Sequence, residues 1–198
     1  MLIDESPPSE DRDAAYAADR ESDGYVWNVT RLWGWRADIS REFAALRTAL
    51  MNSSALTDRD WAVMVTAMAS QLGDSYCSLA WGPKLARLSD AATAAQLIAN
   101  EPTPALSERE QALAAWTRQL VDNPNSTTAD DVTSLRAVGL GDREIFEATT
   151  FAALRLAFST VNDALGAEPD RQLVDAAPGP IRNAVRYGRP PAPEASHA

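Results

Sequence analysis

Three segments of the chain share a pattern that is typical of a helix start. Each reads leucine, a small residue, an acid, arginine and a second acid: LTDRD at 56–60, LSERE at 106–110 and LGDRE at 140–144. In the first two, Thr57 or Ser107 precedes Asp60 or Glu110 by three residues, which is the spacing of a capping box. The pattern therefore predicts three helices that begin in the same way.

The residues after these starts keep a helical period. The apolar stripes are Trp61, Met64, Met68 and Leu72; Leu113, Trp116 and Leu120; and Phe151, Leu154, Phe158, Val161 and Leu165, with Ile145, Ala152 and Leu156 on a neighbouring face. Earlier and intermediate helices are indicated by Ile39, Phe43, Leu46 and Leu50, and by Thr128 with Asp131. No stretch alternates with period two between turn signals. We predict an all-α fold whose central helix is the one that Gly166 ends.

The length of 198 residues indicates one domain. We expect a flexible acidic tail at 1–23, a helical domain at 24–168, and an extension with a Pro/Ala-rich tail at 169–198. His197 lies in that last tail, and with one cysteine and one histidine in the chain we expect no metal site and no cofactor.

The composition bears on partners and location. A formal net charge of −10, with scattered arginines, argues against nucleic acid. No apolar run approaches the roughly 20 residues of a membrane helix, and the acidic N-terminus lacks the features of a secretory signal. We expect a cytoplasmic protein without a membrane partner.

Cys77 is the single cysteine, in the segment QLGDSYCSLAWGPK at 71–84. Gly73 suits the end of one helix and Asp74 the cap of the next, which puts Cys77 at the third helical position. Free backbone amides and the helix dipole there favour a thiolate, whereas the Asp74 carboxylate opposes it. We expect moderate reactivity. Pro83 lies inside the same helix.

At this point the sequence resembles a known family. The segments LTDRDWAVMVTAMASQLGDSYC and SLRAVGLGDREIFEATTFAALRLAFSTVNDALG, and the ending VRYGRPP, resemble the peroxidase-related branch of the alkylhydroperoxidase D and carboxymuconolactone decarboxylase superfamily. The resemblance covers most of residues 25–188. It implies an all-helical bundle that assembles as a dimer, trimer or hexamer through apolar helices.

In redox-active members the resemblance implies a C-x-x-C pair, a histidine four residues after the second cysteine and a glutamate twelve residues before the first. The second cysteine falls on Cys77, but the first falls on Asp74, the histidine on Trp81 and the glutamate on Ala62. Loss of the resolving thiol and of both relay groups should remove most of the peroxidase rate. The resemblance is therefore evidence for the fold rather than for this activity.

Three functional hypotheses stay open. The chain is a cofactor-free enzyme that acts on a small hydrophobic molecule by proton transfer of a decarboxylase or isomerase kind, a non-catalytic oligomeric binding or scaffold protein, or a one-cysteine thiol peroxidase. For the first, Asp74 is a candidate base, with helix capping as its alternative role, and Tyr76 a candidate donor. The pocket would be walled by Trp61, Trp81 and Ala62, although the tryptophans also suit core packing.

Two further groups have no role assigned from the sequence. Trp27, Trp33 and Trp35 suit a core, a subunit interface or a pocket mouth equally well. Arg155 and Asp163 are charged residues in the most apolar helix, and we expect them to be buried or interfacial with charged partners, or to contact an anionic substrate group.

Overall fold

The computed structural model describes residues 1–193 and is helical throughout that range, without a strand. His197 lies outside the described residues. The α-helices are α1 Glu10–Asp23, α2 Asn28–Trp33, α3 Ala37–Asn52, α4 Asp58–Leu72, α5 Ser75–Leu88, α6 Ala91–Ile98, α7 Glu108–Asp122, α8 Ala129–Ala137, α9 Asp142–Ala164, α10 Arg171–Ala176 and α11 Gly179–Ala184. Short 3-10 turns occupy Gly34–Arg36 and Pro124–Ser126. The predicted all-α fold is confirmed.

The predicted helix starts are borne out by their hydrogen bonds. Thr57, Ser107 and Thr128 each accept from the backbone three residues on, and the acid at that position reaches back to complete a capping box. Gly141 begins α9 without a side-chain cap. Local sequence therefore fixes where α4, α7 and α8 begin.

The helix α4 is the centre of the molecule. It packs on α5, α6, α7 and α9, and every residue from Asp60 to Ala69 is buried. One core cluster joins α4 to α7 and α9, and a second joins α4 to α5, α6 and α11. The sequence analysis instead expected α9 to be central, because α9 carries the longest apolar stripe.

The polar residues of α9 explain this difference. Its first half buries Ile145, Ala148 and Phe151, but its second half buries Arg155, Ser159 and Asn162. Leu154, Phe158 and Leu165 are only partly buried, and Val161 is exposed. The inner face of α9 is therefore polar where it meets Cys77 of α5, and the predicted stripe lies towards the surface from Leu154 onward, although Phe151 is buried.

The acidic N-terminal segment contains a helix that the sequence analysis did not predict. Ser9 caps α1, Tyr16 is buried, and α1 packs on α3. Tyr16 is the one buried side chain of α1. Because the rest of α1 is polar or small, its sequence shows no apolar stripe that would predict a helix. At the other end, Ala177 and Ile181 join the second core cluster, so the extension packs on the body as well. The flexibility assigned to both ends stays a prediction.

The three tryptophans near α2 have different surroundings. Trp33 stacks on Phe158 of α9 at 5.3 Å between ring centroids and donates to the Asn162 Oδ1. Trp27 stacks on Tyr25, while Trp35 is half exposed. Trp33 thus closes the monomer's own packing, and Trp35 lies at the surface.

Candidate active site

A tight turn between α4 and α5 positions the candidate site. Gly73 has a φ of 76°, a left-handed conformation that suits glycine and ends α4. Asp74 follows as the cap of α5, and its Oδ1 accepts from the Cys77 backbone N–H at 2.8 Å. The predicted cap and the predicted third helical position of Cys77 are both confirmed.

Asp74 is buried completely, and its two carboxylate oxygens differ. Oδ1 caps the helix, whereas Oδ2 has no hydrogen-bond partner among residues 1–193. A buried carboxylate oxygen without a partner is costly. The hydrogen bond of Oδ1 shows that Asp74 caps α5. The role of Asp74 as a base, which Oδ2 would perform, stays a prediction.

The thiol of Cys77 contacts two polar side chains of α9. Its Sγ accepts from the Arg155 Nη2 at 3.2 Å and lies 3.4 Å from the Ser159 Oγ. Arg155 and Ser159 are four residues apart, so α9 presents them on one face. We call Cys77, Arg155 and Ser159 the thiol centre. All three residues are buried.

The electrostatics of the thiol centre favour a protonated sulfur. Burial raises the pKa of Cys77 to about 12, and the nearby Asp74 carboxylate adds to the rise, against an opposing effect of Arg155 and Ser159. Burial outweighs the lowering of the thiol pKa that the helix N-terminus favours, while the moderate reactivity of Cys77 stays a prediction. At neutral pH Cys77 holds its proton.

Arg155 has no carboxylate partner within the described part of the chain. Its Nε is buried without a hydrogen bond, and its guanidinium carbon lies 5.3 Å from the ring centroids of both Trp81 and Phe158. The charged partners expected for Arg155 and Asp163 are thus absent from the ion pairs of residues 1–193. Aromatic faces and the thiol surround the guanidinium instead.

Asp163 lies one turn beyond Ser159 and is partly buried. Burial raises its pKa to about 7, helped by the charge of Asp74 and opposed by Arg189. The end of α9 therefore carries a carboxyl group that titrates near neutral pH.

Tyr76 points away from the thiol centre. Its hydroxyl donates to the buried Asp170, whose other oxygen accepts from the Asn28 N–H at 2.9 Å. Burial, with the charge of Asp170, raises the pKa of Tyr76. Through Asp170, Tyr76 ties α5 to the start of α2 and to the residue that precedes α10.

A cavity of about 300 Å³ lies between the end of α3, the start of α4 and the second half of α5. Its lining includes Met51, Asp58, Ala62, Trp81, Lys84 and Arg87. We call it the Trp81 cavity. Two of the three predicted pocket residues, Ala62 and Trp81, line it.

The third predicted pocket residue lies elsewhere. Trp61 is buried in the core with its ring centroid 4.5 Å from that of Phe151. Asp74, Tyr76 and Cys77 do not line the Trp81 cavity. Trp81 nevertheless links the two regions, because its ring borders the cavity and also contacts Arg155.

Two larger hollows lie on another side of the molecule. One of about 690 Å³ is bordered by α6 and α11, and one of about 330 Å³ by Leu79, Val174 and residues 185–191. Neither is lined by a member of the thiol centre. The smaller of the two is lined by Arg182, Arg186 and Arg189 with Tyr187, and by none of the predicted site residues.

Several site residues were not found from the sequence. Ser159 was not singled out, and Arg155 was noted without a partner. Their spacing of four residues on α9 was the available signal. Lys84, the only lysine in the chain, was also missed.

Residues 1–193 contain no group of three or more side chains suited to hold a metal ion.

Comparison with known proteins gives a fold assignment. No protein-family model matches the sequence, and no curated protein matches it. Within the described residues, no helix has the length and apolar character that crossing a membrane requires.

Solved structures do match. A peroxidase-related protein from Ralstonia eutropha, described as an alkylhydroperoxidase AhpD core, gives a TM-score of 0.76 at 20% identity over 87% of this chain and 92% of that one. A peroxidase-related protein from a Silicibacter species gives 0.74 at 19% identity over 87% and 91%.

A third match is a cysteine-to-alanine variant of the debrominase Bmp8 in complex with 2,3,4-tribromopyrrole. Its TM-score is 0.69 at 13% identity, over 93% of this chain and 96% of that one. The order of the helices, their packing around α4 and these matches agree. The chain has the alkylhydroperoxidase AhpD-like fold.

Proposed function

We propose that this chain is a divergent, cofactor-free enzyme that acts on a small hydrophobic molecule by proton transfer, with the Cys77 thiol as the group that moves the proton. The observation that carries the proposal is the thiol centre itself. A cysteine that merely packs needs no buried guanidinium beside it, and an unpaired buried cation is costly. Arg155 is suited to stabilise a thiolate that forms during a reaction.

The step is a reversible transfer between sulfur and carbon. The S–H bond of Cys77 breaks, a C–H bond forms on a ring carbon of the bound molecule, and the electron pair left on sulfur is stabilised by Arg155. The thiolate then removes a proton from the same carbon, the electron pair of that C–H bond returns to the ring, and the thiol is regenerated. A thiol that is protonated at neutral pH is the correct starting state for a proton donor.

The Trp81 cavity supplies a route for the small molecule. It is the cavity that contains two of the residues expected in a substrate pocket, and Trp81 contacts Arg155 directly. Rotation of the Trp81 side chain would connect the cavity to the thiol centre. This proposal keeps the small-molecule enzyme hypothesis but moves the proton-transfer role from Asp74 to Cys77, since Asp74 is engaged as a cap.

The test is hydrogen–deuterium exchange at carbon. The probe is 2,3,4-tribromopyrrole, the molecule bound to Bmp8, whose single ring C–H signal is followed in D₂O by proton NMR. We expect the protein to accelerate exchange over buffer, and Cys77→Ser to lose at least about tenfold, since proton transfer by a positioned group contributes factors of 100 or more. Equal rates with wild type, Cys77→Ser and buffer alone would contradict the proposal.

The thiol peroxidase hypothesis fits the geometry less well. A thiolate is the attacking species, and the pKa of about 12 together with 3% exposure opposes its formation at neutral pH.

The scaffold hypothesis has one observation in its favour. Trp35, Ile39 and Leu46 are large apolar side chains with exposed fractions of 50%, 41% and 54%, on α3 and the turn before it. Such a surface suits a homo-oligomer interface. Light scattering after size-exclusion chromatography tests this, with Leu46→Glu expected to reduce the mass from an oligomer to a monomer. A monomeric wild type would exclude the assembly.

A further inference from the structure

Four cations around Trp81 have no carboxylate partner among the described residues. Arg47, Lys84, Arg87 and Arg155 are absent from the ion pairs of residues 1–193. The chain as a whole carries 28 acidic and 18 basic side chains. Cations that lie close together without a carboxylate between them leave a local positive charge in an otherwise acidic protein, and a bound anion would compensate that charge.

Shared aromatic neighbours show that three of these cations lie close together, and the fourth, Arg87, lines the same cavity as Lys84. The Lys84 Nζ is 4.3 Å and the Arg155 guanidinium carbon 5.3 Å from the Trp81 ring centroid. Arg47 and Arg155 both lie over Phe158, at 5.4 Å and 5.3 Å. The Nε atoms of Arg47 and Arg155 are both buried without a partner.

The charges repel one another. Burial lowers the pKa of Arg47 to about 10, with a further contribution from Arg155. The pKa of Lys84 is lowered first by desolvation and then by Arg155, Arg87 and Arg47. A bound negative charge would relieve this repulsion.

The Trp81 cavity has the shape and lining for such a ligand. Lys84 and Arg87 line it on the polar side, while Met51, Ala62 and Trp81 give apolar and aromatic surface. Its one carboxylate is that of Asp58, an exposed residue. A volume of about 300 Å³ is at the lower end of ligand pockets, which suits a single ring rather than a long chain.

We propose that the Trp81 cavity binds a small planar aromatic anion, whose charge pairs with Lys84 and Arg87 and whose ring packs against Trp81. That this anion is the substrate rests on the proposed function, but its binding does not. The anion and the thiol are chemically matched. A protonated Cys77 thiol has a proton to give, and a ring that carries negative charge has a site to accept it.

The experiment is calorimetric titration of the full chain with benzoate, at low ionic strength, beside its neutral isostere benzamide. We expect benzoate to bind and benzamide to bind at least about tenfold more weakly, because charge-assisted contacts contribute the difference. Lys84→Gln should weaken benzoate by about tenfold and Lys84→Arg should retain it, since the charge is kept. Asp58→Asn should tighten it.

Arg171→Gln is the matched control, because Arg171 is an exposed cation paired with Asp175 on α10. It should leave benzoate binding unchanged. No benzoate binding, equal binding of benzoate and benzamide, or equal weakening by Lys84→Gln and Arg171→Gln would each overturn the proposal. Retention by Lys84→Arg separates loss of the charge from a failure to fold.

The Cys77→Ser variant distinguishes this inference from the proposed function. It should bind benzoate like the wild type while losing carbon exchange on the bromopyrrole. If benzoate fails to bind but wild-type exchange exceeds that of Cys77→Ser, the anion site is wrong and the enzyme proposal stands. If benzoate binds and no exchange occurs, the site stands as a binding site only.

Discussion

Arg155 donates from Nη2 to the Sγ of Cys77 at 3.2 Å, and both residues are buried. The two are 78 positions apart in the chain and meet because the tertiary structure brings the first turn of α5 against the second half of α9. The guanidinium has no carboxylate partner within residues 1–193. The Cys77 thiol is therefore the polar side chain that partners this buried cation.

Arg155→Met tests how far this contact controls the thiol. The positive charge lowers the pKa of Cys77, so removing it should raise that pKa further and slow alkylation by iodoacetamide at pH 9 by about tenfold per pKa unit. Arg155→Lys should lie in between. Because Cys77 is the only cysteine, mass spectrometry reports one site. Equal alkylation rates would show that the contact leaves the thiol unaffected.

The pH dependence of the wild-type alkylation is a second prediction. The thiolate fraction of a group with a pKa of about 12 still rises about tenfold per pH unit between pH 8 and 10, whereas an ordinary thiol approaches a plateau near pH 9. A wild-type rate that levels off near pH 9 would contradict the raised pKa.

Trp81→Ala should open the route from the Trp81 cavity to Cys77. Loss of the indole removes the side chain that borders the cavity and covers Arg155. We expect alkylation of Cys77 to become faster by about tenfold, since access limits a buried thiol. Trp35→Ala is the matched control, because Trp35 is half exposed and does not line this cavity, and it should leave the rate unchanged. Equal effects of both variants would exclude a gating role for Trp81.

Asp163 gives a pH dependence to stability. Its folded pKa is raised to about 7 from 3.8, so between about pH 4 and 7 the native state holds a proton that the unfolded state has lost. This group therefore makes the protein less stable as pH rises through that window. Asp163→Asn should raise the free energy of unfolding at pH 8 by roughly 1–3 kcal/mol and change it little at pH 4.

Urea denaturation of both proteins at the two pH values measures the effect. Carboxyl groups with lowered pKa values, such as that of Glu110, contribute the opposite slope, but they are common to both proteins and cancel in the difference. The same stabilisation at pH 4 as at pH 8 would contradict the raised pKa of Asp163.

Tyr76→Phe should act on stability rather than on chemistry. It leaves the buried Asp170 without the Tyr76 hydroxyl, a loss that costs about 1–3 kcal/mol. Tyr16→Phe is the comparison, since Tyr16 donates to the exposed Glu5 at 2.8 Å and should cost less than about 1 kcal/mol. Thermal unfolding measures both. Loss of exchange on the bromopyrrole without loss of stability would instead restore Tyr76 as a catalytic donor.

The sequence predicts those features that depend on neighbouring residues. Capping boxes at Thr57 and Ser107, the Gly73 turn and the Asp74 cap are local hydrogen bonds, so their spacing is visible in the chain. The position of Cys77 on α5 follows from them. The contacts of Cys77 do not, because Arg155 and Ser159 reach it only through the packing of α9 on the bundle.

Periodicity was misleading where a helix buries polar groups. The stripe of Leu154, Phe158 and Val161 indicated the inner face of α9, yet Arg155, Ser159 and Asn162 are the buried residues there. Likewise Tyr76 and Asp170 are 94 positions apart, and nothing local links them. Distant polar pairs of this kind are set by tertiary structure alone.

The most direct measurement compares carbon exchange on 2,3,4-tribromopyrrole in Cys77→Ser and Asp74→Asn side by side. Asparagine still caps a helix, so Asp74→Asn should fold and keep exchange within about threefold of the wild type. Cys77→Ser should lose at least about tenfold. The reverse order, with exchange lost in Asp74→Asn and kept in Cys77→Ser, would make Asp74 the base and contradict the assignment of proton transfer to the thiol.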